Sequence, residues 1–149
     1  MNKDFLDKAI SYANKAFLID EVPVGAVIVK DKKVIGYGYN KKEKHNSVLE
    51  HAELIAIKMA EKNIDNWRLN DCDIYVSLDP CPMCASAIKQ ARIKNVYSAL
   101  TNSDNNNYEI ISQIFKKDKT NPSVNFITNL DVEKSEKILN SFFKKQRNK

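Results

Sequence analysis

The stretch "DIYVSLDPCPMCASAIKQARIKNVYSAL" (residues 73–100) has two apolar runs on either side of a helical pattern. The runs "DIYVSL" (73–78) and "NVYSAL" (95–100) carry the β-branched and aromatic residues that are typical of strands. Between them, "PMCASAIKQAR" (82–92) predicts a helix, and Pro82 suits its first position. A strand, a helix and a second strand of these lengths predict a βαβ crossover with parallel strands.

The rest of the chain adds three strands and four helices to this unit. Apolar spacing and turn residues predict a helix over 3–18, a hairpin over 22–40, a helix over 50–63, a short helix over Tyr108–Lys116, a strand over Val124–Thr128 and a helix over Asp131–Arg147. The second helix has four large apolar residues as its predicted buried side: Leu54, Ile55, Ile57 and Met59. The pattern predicts an α/β fold, a three-layer α/β/α sandwich around a mixed five-stranded sheet.

Length and composition exclude several classes of protein. A chain of 149 residues is near the common size of one domain, and 43% hydrophobic residues place it outside the disordered range. No apolar run reaches membrane-spanning length, and the amino end lacks the apolar core of a signal peptide. We therefore expect one cytoplasmic domain over residues 1–149 that does not enter a membrane.

The net charge of +5 comes from the last part of the chain. Residues 116–149 contain 9 Lys or Arg and 4 Asp or Glu, whereas residues 1–115 contain 15 of each class. This segment could bind a polyanion, or it could be a solubilising helix and tail. Charge alone favours the second interpretation.

The three cysteines, Cys72, Cys81 and Cys84, argue against a disulfide framework because their number is odd and the expected compartment is reducing. With Pro82 at the first helical position, Cys81 becomes the helix cap and Cys84 lies one turn later. Both sulfurs then converge near the helix amino end, where the dipole favours the thiolate that binds metal. An isolated pair of this spacing could also be a redox pair or simple packing. Cys72 precedes a strand and is interpreted as a small buried thiol.

A metal site needs a ligand beyond the two cysteines, and the chain has two histidines. His45 lies in a lysine-rich loop and is interpreted as a solvated residue. His51 opens the second helix in "HAE", which also places Glu53 beside the helix amino end. A His/Cys/Cys set leaves the fourth position of Zn²⁺ open for water, which is the arrangement of a catalytic site. Glu53 is then the candidate for proton transfer to and from that water.

These residues appear in the order H-x-E followed by P-C-x-x-C, the signature of zinc-dependent base deaminases. In five segments, two of which contain these motifs, the chain resembles the bacterial tRNA-specific adenosine deaminases of the cytidine deaminase-like superfamily. Those segments are "DEVPVGAVIVK" (20–30), "HAELIAI" (51–57), "NWRL" (66–69), "IYVSLDPCPMCASAI" (74–88) and "RIKNV" (92–96). The resemblance implies a single zinc-dependent deaminase domain that converts the wobble adenosine of a tRNA anticodon to inosine.

The resemblance also implies roles for individual residues. It makes His51, Cys81 and Cys84 the ligands of one Zn²⁺ per chain and Glu53 the proton shuttle. Four further residues are implied to contact the substrate: Asn40 binds the nucleotide, Pro23 and Val24 line the base pocket, and Phe142 lies near the anticodon. Asn40 could instead be a strand-end turn residue and Phe142 a core residue. The implied partners are the tRNA anticodon arm and a second copy of the chain in a homodimer.

Three segments depart from the family pattern. "NSVLE" (46–50) replaces a proline and small residues before His51, and Asp79 replaces a glutamate before the cysteines. "TNSDNNNYEI" (101–110) lacks the glycine and lysine that are common in the family's loop. This loop favours an alternative, a deaminase of a free base or nucleotide such as guanine, cytosine or deoxycytidylate. A zinc-stabilised RNA-binding or dimer-partner subunit without turnover is a third hypothesis, which the presence of Glu53 disfavours.

Overall fold

The computed structural model describes residues 1–149 and contains one five-stranded sheet with helices on both faces. The strands are β1 (Gly25–Lys30), β2 (Lys33–Tyr39), β3 (Asp73–Val76), β4 (Asn95–Ser98) and β5 (Asn125–Ile127). The helices are α1 (Lys3–Leu18), α2 (Ala52–Ile64), α3 (Pro82–Gln90), α4 (Asn107–Ile114) and α5 (Val132–Arg147), and a 3-10 turn (Asp104–Asn106) precedes α4. None of the helices is both long and apolar enough to cross a membrane.

The strand order across the sheet is β2-β1-β3-β4-β5. β1 runs antiparallel to both of its neighbours, whereas β3, β4 and β5 run parallel to one another. In the parallel pair of β3 and β4, Ile74 lies opposite Val96. The structure therefore confirms the predicted mixed sheet and the βαβ crossover through α3.

Two apolar clusters, one on each face of the sheet, form the contacts between the three layers. Side chains from α2, α3 and α4 pack on one face of the sheet, where Ile28, Ile74 and Val76 are completely buried. On the other face α1 and α5 pack against Val27 and Tyr75. The residues that face the two clusters alternate along β1 and β3, because successive side chains of a strand point to opposite faces of the sheet. This arrangement confirms the predicted α/β/α sandwich.

The buried side of α2 differs from the predicted one. The structure buries Ile57 together with three alanines, Ala52, Ala56 and Ala60, while Leu54, Ile55 and Met59 are only partly buried. The reason lies in the neighbouring strand. A Cβ atom at Gly36 would lie 2.3 Å from the backbone oxygen of Ala56, and one at Gly38 would lie 2.5 Å from that of Ala52. The helix therefore approaches β2 so closely that only small residues fit between them.

We predict that Gly38→Ala lowers the free energy of unfolding by about 1–3 kcal/mol, because its Cβ must displace the backbone at the amino end of α2. Urea denaturation measures this change. Lys33→Ala, at an exposed position of the same strand, is the matched control and should have little effect. A Gly38→Ala variant with unchanged stability would contradict the close contact between α2 and β2.

Candidate metal centre

His51, Cys81 and Cys84 lie at the amino ends of two helices. His51 is the residue that caps α2, Cys81 caps α3, and Cys84 lies in the first turn of α3 with Pro82 before it. β1 lies between β2 and β3 and is antiparallel to both, so β2 and β3 run in the same direction. Their carboxyl ends therefore lie at the same end of the sheet. The two helix amino ends that follow them are therefore close in space, although 30 residues separate His51 from Cys81.

The three side chains form a compact group. Nδ1 of His51 is 3.7 Å from Sγ of Cys81 and 3.4 Å from Sγ of Cys84, and all ligand atoms lie within 4.8 Å of one another. In a tetrahedral site with the usual Zn–S and Zn–N bond lengths, nitrogen and sulfur ligands are about 3.6 Å apart. The group could therefore hold a metal ion, and its two sulfurs and one imidazole suit zinc.

The electrostatics of the group favour a thiolate next to a proton-carrying carboxyl. The hydrogen bond from Cys84 lowers the pKa of Cys81 to about 4, and His51 assists. Glu53 is only 3% exposed, and this burial raises its pKa to about 7. Cys81, His51 and Cys84 all influence the pKa of Glu53, so its carboxyl lies beside the metal group. A carboxyl that titrates near neutral pH can both take up and release a proton.

Asn40 fixes the amino end of α2. His51 makes no capping hydrogen bond with its own side chain. Instead, Oδ1 of Asn40 accepts a hydrogen bond of 2.8 Å from the backbone N–H of Ala52. Asn40 therefore satisfies one of the free N–H groups of the helix and ties the end of β2 to the segment that carries His51.

A cleft of about 840 Å³ opens beside the metal group. Of the predicted site residues, His51, Asn40 and Phe142 line it. Pro23 and Val24 are buried and do not line it, whereas Val22, the residue before them, does. Phe143 also lines the cleft and is 44% exposed, compared with 5% for Phe142.

Sequence reasoning missed Val22, Phe143 and Glu21. Phe143 follows the predicted Phe142 directly, and the rotation of α5 decides which of the two rings faces solvent. Glu21 is 3% exposed, and its carboxylate accepts hydrogen bonds from the backbone N–H groups of Glu43 at 3.1 Å and Lys44 at 2.7 Å. It thereby holds the lysine-rich loop at the margin of the cleft. The signal in the sequence is an acidic residue directly before the "VPVG" segment.

Asp79 anchors the loop that lacks glycine. It is 3% exposed and accepts hydrogen bonds from the hydroxyl of Thr101 at 2.8 Å and from that of Thr128 at 2.6 Å. A weaker bond of 3.3 Å comes from the backbone N–H of Asn102. The carboxylate just before Cys81 thus connects the ends of β3, β4 and β5, so the shorter aspartate fulfils a structural role at this position.

The remaining cysteine and histidine lie outside the metal group. Cys72 is completely buried, which raises its pKa to about 11 and confirms its interpretation as a buried thiol. Nδ1 of His45 is 2.6 Å from Oε1 of Glu50 within the exposed loop.

Comparison with known proteins identifies relatives over nearly the whole chain. The model of the MafB19-like deaminase family matches residues 1–147. A tRNA-specific adenosine deaminase of Streptococcus pyogenes serotype M1 is 35% identical over 143 residues, which cover 96% of this chain and 84% of the relative. A solved structure from a study of A-to-I editing by tRNA:A34 deaminases at the wobble position has a TM-score of 0.85 and 34% identity, covering 93% of this chain and 100% of the other. The guanine deaminase of Bacillus subtilis has a TM-score of 0.67 and 32% identity, covering 100% of this chain and 96% of the other.

We predict that the three thiols react with an aromatic disulfide reagent in a fixed order. With zinc bound, none should react rapidly in the native protein. After chelation Cys81 should react first because its pKa is lowered, and Cys72 should react only in denaturant because it is buried with a raised pKa. Absorbance of the released thiol measures each class. In Cys72→Ala the slow class should lose one thiol per chain, because Cys84 is also completely buried with a raised pKa, and rapid reaction of native Cys72 would contradict its burial.

Proposed function

The chain belongs to the MafB19-like deaminase family, and we propose that it is a zinc-dependent hydrolytic deaminase that converts adenosine to inosine at the wobble position of a tRNA anticodon. The observation that carries the proposal is the convergence of His51, Cys81 and Cys84 next to buried Glu53. Similarity to tRNA-specific adenosine deaminases supports the choice of substrate. The chain is proposed to act as one deaminase domain in the cytoplasm.

His51, Cys81 and Cys84 would hold one Zn²⁺, which when bound supplies an acidified water as the nucleophile. Glu53 takes up the proton of the nucleophile and delivers protons to the ring nitrogen and to the departing amine. Adenosine and water give inosine and ammonia in this reaction.

The cleft provides the contacts that position the nucleotide. Oδ1 of Asn40 is occupied by the backbone of α2, so its Nδ2 group is the donor directed to the substrate. Phe143 has the more exposed ring and is proposed to stack on a base, with Phe142 beneath it near the anticodon nucleotides. Pro23 and Val24 support the base pocket from behind Val22.

Basic residues at the margin of the cleft support binding of an anticodon arm. Lys42 and Lys44 line the cleft on the loop that Glu21 holds in place. On the opposite margin, the carboxyl end of α5 is tied to the turn after α1, where Asp20 accepts a hydrogen bond of 3.0 Å from Gln146. Lys145 and Lys149 also contact Asp20, and the remaining basic residues of this end, Lys144 and Arg147, are available for phosphates.

A second candidate function is the deamination of a free base. The similarity to the Bacillus subtilis guanine deaminase over the whole chain favours this candidate, as does the loop over residues 101–107, which lacks lysine and arginine. The metal ligands and Glu53 would keep their roles. A subunit without turnover has less support. Burying a carboxyl beside the metal group costs free energy, and a role in proton transfer explains why a carboxyl is there.

The deciding experiment incubates the zinc-loaded protein with a tRNA that carries adenosine at the wobble position, and separately with free guanine, cytosine and deoxycytidylate. We expect inosine at that one tRNA position and no ammonia from the small molecules. The activity should fall steeply with salt, because phosphate contacts release counterions. Ammonia from a small molecule together with unchanged tRNA would refute the tRNA assignment and establish the second candidate.

Glu53→Ala is the matched control for the chemistry. It should retain the fold and one zinc per chain but lose deamination, because the proton shuttle acts without binding the metal. Zinc analysis by mass spectrometry and the inosine assay distinguish the two properties. If Glu53→Ala remained active, or if it lost its zinc, the role proposed for Glu53 would be wrong.

We also propose that the protein is a homodimer. Val48 and Leu49 are 62% and 60% exposed directly before α2, whose Leu54, Ile55 and Met59 are partly buried. A second copy of the chain would remove this apolar surface from water.

We predict that the purified protein sediments as a dimer and that Leu49→Glu shifts it towards the monomer, because a carboxylate in an apolar interface must be desolvated. Analytical ultracentrifugation measures the change. Ile127→Glu, which alters another exposed apolar side chain (47%), is the control and should leave the dimer intact. A wild-type monomer at every concentration would refute the homodimer.

A further inference from the structure

Three tyrosines and two lysines form a continuous strip on the face of the sheet that α1 covers. This tyrosine strip consists of Tyr12, Tyr37, Tyr39, Lys15 and Lys41. The ring of Tyr12 is stacked on that of Tyr37, with centroids 4.8 Å apart and an angle of 9° between the planes. It is also nearly parallel to the ring of Tyr39, at 6.2 Å and 7°.

The close packing of α1 against β1 creates this stack. A Cβ atom at Gly25 would lie 2.1 Å from the backbone oxygen of Ala9 and 2.8 Å from Cβ of Tyr12. Glycine therefore allows α1 to lie directly on β1, which brings Tyr12 beside the neighbouring strand β2. Tyr37 and Tyr39 are two residues apart on β2 and project to the same face.

The strip has the chemistry of a nucleic-acid surface. Tyr37 is 40% exposed on β2, which is an edge strand of the sheet. Nζ of Lys15 is 5.0 Å from the ring centroid of Tyr12, and Nζ of Lys41 is 4.7 Å from that of Tyr39. The strip therefore combines one exposed ring, that of Tyr37, with two partly buried rings that have lysines beside them. Aromatic rings with cations nearby match the stacking platforms by which proteins bind single-stranded RNA.

The strip is continuous with the cleft. Tyr39 directly precedes Asn40, which lines the cleft. Tyr37 lies three residues before Asn40, or about 10 Å from it along the strand. On α1, Lys15 lies one helical turn before Ile19, which also lines the cleft. Lys41 begins the loop that continues to Lys42 and Lys44. An RNA strand that leaves the cleft on this side would therefore meet the strip.

We propose that the tyrosine strip binds an unpaired nucleotide of the RNA substrate outside the cleft, with its base stacked on Tyr37 and its phosphates near Lys15 and Lys41. The proposal rests on the proposed function for the presence of an RNA substrate. It adds a second contact region, separate from the residues that surround the target adenosine. The strip thereby increases affinity for RNA without taking part in the chemical step.

The experiment measures binding of fluorescently labelled single-stranded RNA by anisotropy. The oligonucleotides contain one central adenosine and are lengthened stepwise at either end. For the wild-type protein, affinity should rise about tenfold at the length that first reaches Tyr37, because stacking of one base contributes on this scale. Tyr37→Leu should lose this step and bind the shorter oligonucleotides normally, whereas Tyr37→Phe should keep it because the aromatic face remains.

Two controls separate stacking from stability. Tyr108→Leu removes a ring of similar exposure (44%) on α4 and should keep the step. Lys15→Gln and Lys41→Gln should each lower the salt slope of binding by about 0.7, the value for one phosphate of a single strand. Lys58→Gln, at an exposed position of α2, should leave the slope unchanged.

The outcomes test the strip separately from the proposed function. Loss of affinity in Tyr37→Leu at all lengths, an equal loss in Tyr37→Phe, or a changed unfolding midpoint with an unchanged length dependence would show that the tyrosines only pack the sheet edge. If the wild-type protein binds RNA with the length step but deaminates only a free base, the proposed function is wrong and the strip is supported. If it binds no RNA at any length, both are wrong.

Discussion

The close contact between α2 and β2 is the constraint on which the site depends. Gly36 and Gly38 remove the side chains that would separate the strand from the helix, and alanines on α2 complete the fit. Asn40 then extends the contact by a hydrogen bond to the first turn of the helix. Because β2 is fixed in the sheet, these contacts also fix His51 and Glu53 at the sheet edge where α3 begins. A shift of α2 would move His51, a candidate metal ligand, and Glu53, the proposed proton shuttle, together.

Two helix amino ends at one edge explain the chemistry of the centre. The hydrogen bond from Cys84 is the main cause of the lowered pKa of Cys81, and the free N–H groups of the helix amino end also stabilise negative charge there. The same packing excludes water from Glu53, which raises the pKa of its carboxyl. The site therefore combines a group of candidate metal ligands with a carboxyl whose pKa is raised by burial. Both pKa shifts arise from the surroundings of the side chains, since an exposed cysteine or glutamate has its usual pKa.

Buried carboxylates hold the loops that surround this centre. Glu21 accepts two backbone N–H groups of the lysine-rich loop, and Asp79 accepts hydrogen bonds from the loops after β4 and β5. Hydrogen bonds to a carboxylate are stronger than neutral ones, so a loop can be ordered without glycine or a large apolar contact. Asp79 therefore orders the loop over residues 101–107, although this loop lacks glycine.

The sequence by itself determined the elements, the mixed sheet and the three ligand types, because hydrophobic periodicity and motif spacing are local properties of the chain. It did not determine which side chains of each element face the cleft. Tertiary structure decided that Phe143 is exposed where Phe142 is buried, that Val22 lines the cleft, and that small residues form the buried side of α2. It also brought Tyr12 beside Tyr37. These outcomes depend on the rotation of each helix and on the distance between a helix and its neighbour. Packing between segments that are distant in the sequence sets both, so no local pattern encodes them.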